Sequence, residues 1–243
     1  MTNVKGRWAL VTGASRGIGY EVAVFMAKEG CNLVLHARKL ENLDKVVKEV
    51  KSYGVKVEAV EAELSDMKAV DKMLDEIEEM DIPIDILFNN AGLQIAYRLD
   101  YFETPVEDFT ESFLINTIAP AIIFYRLIPK MIERNFGRVI NTTSGIKEEP
   151  EQAAYSASKA ALDKITIDLG TKLEGIDVMM NLADPGWCRT DLGGPNAPNS
   201  VESVIPGMCL GAFLDDKKSG RIFSAQDYTG MTLEEAIDKA SKI

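Results

Sequence analysis

Apolar positions along this chain fall into short unbroken runs. Between them lie longer stretches in which apolar residues recur every third or fourth place. WALVT (8–12) is the first run, and RGIGYEVAVFMAKEG (16–30) has helical spacing. The alternation continues: strand 31–37, a charged amphipathic helix to about Tyr53, strand 55–62, helix 66–80 and strand 84–90. Helices are expected over 105–134 with a break near Pro120, where the missing N–H interrupts the ladder. Strand 137–144, helix 153–173, strand 175–184, strand 221–225 and a terminal helix at 232–242 complete the pattern.

Strands that are apolar on both faces, joined by helix-length segments, belong to a parallel sheet covered on both sides. Right-handed crossovers then give a doubly wound, Rossmann-like α/β sheet of about seven strands. No low-complexity linker divides the chain, so 1–243 reads as one domain. It carries a turn-rich loop at about 184–206 and a short helical tail at about 231–243.

Composition narrows the partners. Of 243 residues, 38 are acidic and 27 basic, a net charge of -11 that opposes general binding to nucleic acid or anionic membrane. No apolar segment of signal-peptide length precedes the first turn and no 18 apolar residues run together, so a cytoplasmic address is expected. Three cysteines without a CxxC suggest neither a disulfide framework nor a metal site. The single histidine, His36, makes histidine-based chemistry depend on that one residue.

Thr12-Gly13-Ala14-Ser15-Arg16-Gly17-Ile18-Gly19 joins the first strand to the first helix. Glycines there permit a tight turn and close approach of a pyrophosphate to the helix N-terminus. The spacing G-x-x-x-G-x-G differs from both G-x-G-x-x-G and the NTPase loop. A merely flexible turn is the competing reading. At the end of the second strand an acid would select NAD, whereas this chain has Arg38 and no acid before Glu41. That points to NADP(H), with Arg16 as a second guanidinium for the 2′-phosphate. Alternatively, Arg38 is a solvated charge at a helix start.

Tyr155 and Lys159 stand four residues apart on one helical face. A fixed cation lowers a phenol's pKa toward the range useful for proton transfer, although Y-x-x-x-K alone also occurs on ordinary surface helices. With the glycine turn come Asn89-Asn90-Ala91-Gly92, Asn116, Ser144 and Pro185-Gly186 followed by Thr190. In this order, over roughly 8–192, the motifs resemble those of the short-chain dehydrogenase/reductase family, and PGWCRT resembles its carbonyl-reductase-like branch.

The resemblance implies an oxidoreductase interconverting a ketone or aldehyde with an alcohol. Tyr155 would be its general acid/base, Ser144 the hydroxyl polarising the substrate oxygen, and Asn116 the anchor of a relay water. Lys159 would lower the Tyr155 pKa and hold the nicotinamide ribose. Gly13, Ser15, Arg16, Gly17, Ile18, Gly19, Arg38, Glu63, Leu64, Asn90, Ala91 and Gly92 would bind cofactor. So would Tyr155, Lys159, Pro185, Gly186 and Thr190, the last three at the nicotinamide end. The competing readings are the Asn90–Gly92 loop as bracing for the sheet, Asn116 as an ordinary helix amide, and the Thr142–Ser144 hydroxyls as strand-end turn formers.

Several features depart from the family pattern. The eleven-residue interval from Ser144 to Tyr155 is shorter than is common and unusually acidic, and Glu63 replaces a frequent Asp. Ile95, Tyr97, Ile146, Trp187, Leu192 and Met208 suit an apolar substrate pocket, or else core or oligomer contacts. Cys188 has no base in reach and reads as packing. Competing functions are a 3-oxoacyl-thioester (acyl-carrier-protein) reductase, a non-catalytic NADPH-binding regulator, or a methyltransferase on a similar sheet. Family resemblance further implies a homodimer or homotetramer through the outer faces of helices 110–134 and 153–173.

Overall fold

The structure is a computed structural model describing residues 1–243. Its centre is a sheet of seven parallel strands: β1 (Trp8–Val11), β2 (Asn32–Ala37), β3 (Val57–Glu61), β4 (Ile84–Asn89), β5 (Gly137–Thr142), β6 (Val178–Asp184) and β7 (Ile222–Ser224). The spatial order is β3-β2-β1-β4-β5-β6-β7. The winding reverses between β1 and β4, and such a switch point opens a crevice at the C-terminal ends of the strands.

Alternate strand residues feed two apolar layers, because successive side chains of a strand point to opposite faces. Ala9 and Val11 join Met26, Leu35 and Phe213 on one side, with α1 (Gly17–Lys28) and α2 (Asp44–Lys51). Leu10 joins Leu74, Phe124 and Met180 on the other. That side is covered by α3 (Met67–Glu79), α4 (Val106–Phe113), α5 (Ala119–Glu133) and α6 (Ala153–Gly170). Burial on both faces explains why the strands read as continuous apolar runs.

The helical run 106–133 does not break at Pro120. A widened π turn, Leu114–Ile118, precedes Pro120, which occupies the first turn of α5 where its missing N–H costs little. By length and composition this 28-residue run is apolar enough to cross a membrane. Ile123, Phe124, Leu127 and Met131 are instead buried in the second layer.

The segment 201–213, of which 201–206 was expected to belong to a loop, contains short helical turns ending in α7 (Leu210–Phe213). It buries Val204, Met208, Cys209 and Phe213 in the first layer. Met208 is therefore core, not pocket lining. The tail forms α8 (Leu233–Ala240), started by a reciprocal cap between Thr232 and Glu235.

Candidate active site

β1 ends at the glycine turn. Gly13 and Gly17 have φ of +67° and +59°, the left-handed region that glycine enters freely. Gly19 is required for a different reason: a Cβ there would lie 2.3 Å from the Gly13 carbonyl oxygen and 2.5 Å from Asn90 Nδ2. The turn is thus pressed onto the loop after β4. Thr12 Oγ1 accepts the N–H groups of Asn90 (2.9 Å) and Ala91 (3.1 Å), and Asn90 Nδ2 donates to Thr12 O (3.1 Å). Asn90 and Ala91 brace the turn from behind, and Gly92 continues toward α6.

The first turn of α1 has no capping side chain and no acid. Its amides are free for an anion, with the positive end of the helix dipole behind them. The residues present fit a dinucleotide pyrophosphate at Gly13–Gly19, Ser15 and Ile18 included.

Thr190 closes over the turn, since a Cβ on Gly17 would meet Thr190 Cγ2 at 3.3 Å. That contact brings Asp191 to Arg16, whose Nε lies 2.9 Å from Asp191 Oδ2. The second guanidinium expected for a 2′-phosphate is therefore engaged by Asp191, and Arg38 stands alone and exposed at the end of β2. Glu63 is exposed and accepts from Ser65 N at 3.2 Å. Leu64 packs its side chain in the second core layer, so its expected contact with cofactor is not made by that side chain.

On α6, Tyr155, Lys159 and Asp163 follow at four-residue intervals on one face. Tyr155 is buried with Ile95 and Ala154, and Ile146 packs against them. Burial pushes the phenol pKa up; the Ser144 side chain pulls it down, while the charges of Asp184 and Asp163 add to the rise. The Lys159 ammonium donates to the Thr142 carbonyl at 2.8 Å. Burial brings the Lys159 pKa down to about 8, against the pull of Asp163 and Asp184.

Asn116 lies in the π turn and is fully buried. Its Oδ1 accepts from Leu93 N (2.8 Å), and its Nδ2 donates to Leu93 O (2.7 Å) and Ser158 Oγ (3.0 Å). The side chain is thereby committed to bracing the loop after β4. A Cβ on Gly92 would sit 3.4 Å from Asn116 Oδ1 and 3.6 Å from Lys159 Nζ. The four expected catalytic residues are thus brought to one crevice.

Two carboxylates absent from the expected set share it. Asp184 ends β6, accepts from Gly186 N at 2.9 Å, and leaves no space for a Cβ on Gly145 (2.8 Å from Asp184 Oδ2). Asp163 has its carboxyl pKa raised by burial, offset by Thr143 and by Lys159. Asp163 Oδ1 and Thr143 Oγ1 are both shielded from solvent, and neither makes a hydrogen bond of good geometry. The i+4 step from Lys159 was the sequence signal for Asp163; Asp184 had none beyond preceding Pro185-Gly186.

Around the mouth, Gln152 Nε2 donates to Ile95 O at 3.0 Å and Arg98 N to Glu151 O at 3.1 Å. These bonds clip the acidic loop to the segment after β4. Tyr97, Trp187 and Leu192 are exposed, and Trp187 is pinned by its Nε1–H to Gly193 O at 2.7 Å. Cys188 is buried, donates to Pro185 O at 3.2 Å, and has its thiol pKa raised by burial, all consistent with packing.

The short chain dehydrogenase family model matches residues 7–200. A short chain dehydrogenase of Pseudocercospora fijiensis is 33% identical over 205 residues, covering 84% of this chain and 66% of that protein. A 3-oxoacyl-[acyl-carrier-protein] reductase of Aquifex aeolicus is 31% identical over 192 residues, 78% of this chain and 77% of its own length. The chain thus spans just under two thirds of the first of these relatives and about three quarters of the second. Among solved structures, an NAD+-bound xylitol dehydrogenase superposes with a TM-score of 0.82 at 24% identity, covering 92% of this chain and 98% of that one.

Proposed function

The chain belongs to the short-chain dehydrogenase family, and we propose that it is an NADP(H)-dependent oxidoreductase interconverting a ketone or aldehyde with an alcohol. The observation that carries the reading is the meeting of Ser144, Tyr155 and Lys159 beside a helix N-terminus left free for a pyrophosphate. The cofactor supplies or accepts the hydride when bound.

In the reducing direction Tyr155 gives its proton to the substrate oxygen; in oxidation it takes that proton back. Burial makes the phenol a reluctant anion, which suits it to arrive protonated for reduction. The Ser144 hydroxyl donates to the same oxygen and stabilises the charge developing there. Lys159 orients the cofactor ribose from within the wall, held in place by Thr142. Gly92 keeps the space between Lys159 and Asn116 open.

Arg38, exposed and free of an acidic partner, supports the choice of NADP(H). The apolar rim of Ile95, Ile146, Tyr97 and Trp187 supports an apolar small-molecule substrate. A homo-oligomer is supported by a hollow of about 430 Å³ on the outer face of α5 and α6, lined by Ile118, Ala121, Ile122, Tyr125 and Ile165.

Reduction of the 3-oxo group of a 3-oxoacyl thioester, the activity named for the Aquifex aeolicus relative, is the second reading. The acidic residues Glu148, Glu149 and Glu151 beside the site disfavour an acidic carrier protein there. The test follows NADPH absorbance against a panel of carbonyls and 3-oxoacyl thioesters, with Tyr155→Phe as control. Turnover of free carbonyls, lost in the variant, is expected. Full activity in Tyr155→Phe overturns the mechanism, and NADPH binding without turnover of any carbonyl favours a regulator.

A further inference from the structure

We propose that His36, the chain's single histidine, is a positioning residue for the cofactor, joining the glycine turn to the segment after β3 through a ring that must be neutral. The inference rests on the cofactor reading above. His36 lies near the end of β2 with 1% of its surface exposed. Its Nδ1 faces the Gly13 N–H at 3.3 Å, and its Nε2 faces the Ala62 carbonyl oxygen at 3.1 Å. A carbonyl cannot donate, so Nε2 carries the hydrogen; an N–H cannot accept, so Nδ1 is bare. The two neighbours fix one tautomer.

The main chain reinforces the bracket. His36 O accepts the Ala14 N–H at 3.0 Å, and Ala37 O accepts the Ala62 N–H at 3.2 Å. One residue therefore grips the turn at two successive amides and the far segment at a third point. Gly13 is a left-handed residue whose orientation aims the amides that follow, and Ala62 leads directly into Glu63.

A second proton on the ring would set an N–H at Nδ1 against the Gly13 N–H. Two donors would then face each other in a site closed to water. Burial holds the imidazole pKa below its ordinary value, opposed by the Ala62 carbonyl and by the charge of Glu63. Glu63 is the charged group acting on the ring. From the β1 side it meets Thr12, Gly13 and Ala14, none ionisable; on β3 its register partner is Val60, with Glu61 opposite Ala37. Because the folded pKa is depressed, the neutral bracket is intact above about pH 6.5 and is lost as pH falls through the folded value.

The experiment is a fluorescence titration of NADPH, with NADH in parallel, at about pH 7.5, with nitrogen NMR of the single imidazole to report its tautomer. It compares the native chain with His36→Asn and His36→Phe, each checked by thermal melting. Asn sets an amide oxygen where Nδ1 stands and does not titrate; Phe removes both bonds. The Asn variant is expected within about threefold of native affinity and the Phe variant about tenfold weaker. The native imidazole should show one neutral tautomer at that pH, with its hydrogen on Nε2.

Phe binding as tightly as native overturns the proposal. So does an imidazole carrying its hydrogen on Nδ1 at about pH 7.5, or an Asn variant bound more than about tenfold weaker than the native chain. If the Phe variant does not fold, the Asn comparison decides alone. Failure of the native chain to bind either nucleotide overturns the cofactor reading and this proposal together, whereas native binding with unchanged variants overturns this proposal only.

Discussion

Lys159 Nζ donates to the carbonyl oxygen of Thr142, the last residue of β5, at 2.8 Å. Lys159 is 4% exposed, which explains a pKa brought down to about 8 by burial. The cation is held at a cost, and that cost is a measurable property of the fold.

Replacement of Lys159 by Met should therefore stabilise the chain near pH 7 while removing activity. A depression from 10.5 to about 8 corresponds to roughly 3 kcal/mol. The sign follows from proton counting: between these values the unfolded chain holds the proton and the folded chain does not. Native stability therefore carries a component that rises with pH from about 8 to 10.5. Urea unfolding should give the variant an advantage at pH 7 that disappears above pH 10; an advantage independent of pH would contradict the assignment.

Tyr155→Phe should lower kcat by about 10²- to 10⁴-fold, the range for a lost general acid. Ser144→Ala should cost about 10²- to 10³-fold, as for a single donor to a developing oxyanion. Neither change should move the melting temperature by more than a few degrees. Ser144→Ala also removes a side chain that lowers the Tyr155 pKa, so any residual activity in the oxidising direction should need higher pH.

The sheet, its order of elements and the Tyr155–Lys159 face were legible because periodicity and fixed spacing are local properties of a chain. The ion pair of Arg16 was not legible, for the opposite reason: its partner Asp191 lies far along the sequence and meets it beside the Thr190–Gly17 contact. The sequence leaves Met208 open between pocket lining and core, since its short helical segment carries no long periodic pattern, and the fold places it in the core. Asp163 stood on the same helical face as Lys159, but its proximity to Asp184 depends on β6 ending beside β5, a tertiary fact.

Gly19→Ala should damage the cofactor cradle more than it damages the helix. Alanine is the better helix former by about 1 kcal/mol. Here its methyl would overlap the Gly13 carbonyl and Asn90 Nδ2, and overpacking costs about 1–3 kcal/mol. A loss of NADPH affinity larger than the loss of stability is expected by titration and melting. Tighter binding in the variant would show that the turn does not receive the pyrophosphate.

Arg38 and Arg16 should separate cleanly. Arg38→Ala should weaken NADPH by about 10- to 100-fold, the worth of a charge-assisted hydrogen bond, and leave NADH nearly unchanged. Asp191→Asn should change stability by less than about 1 kcal/mol, because the pair is exposed at both ends (63% and 74%) and such bridges contribute little. Freed from Asp191, Arg16 becomes available to a phosphate, so this variant should bind NADPH more tightly, with a steeper dependence on salt. If Asp191→Asn weakens binding instead, the ion pair itself holds the 184–206 loop over the cofactor, and Arg16 serves the loop and not the phosphate.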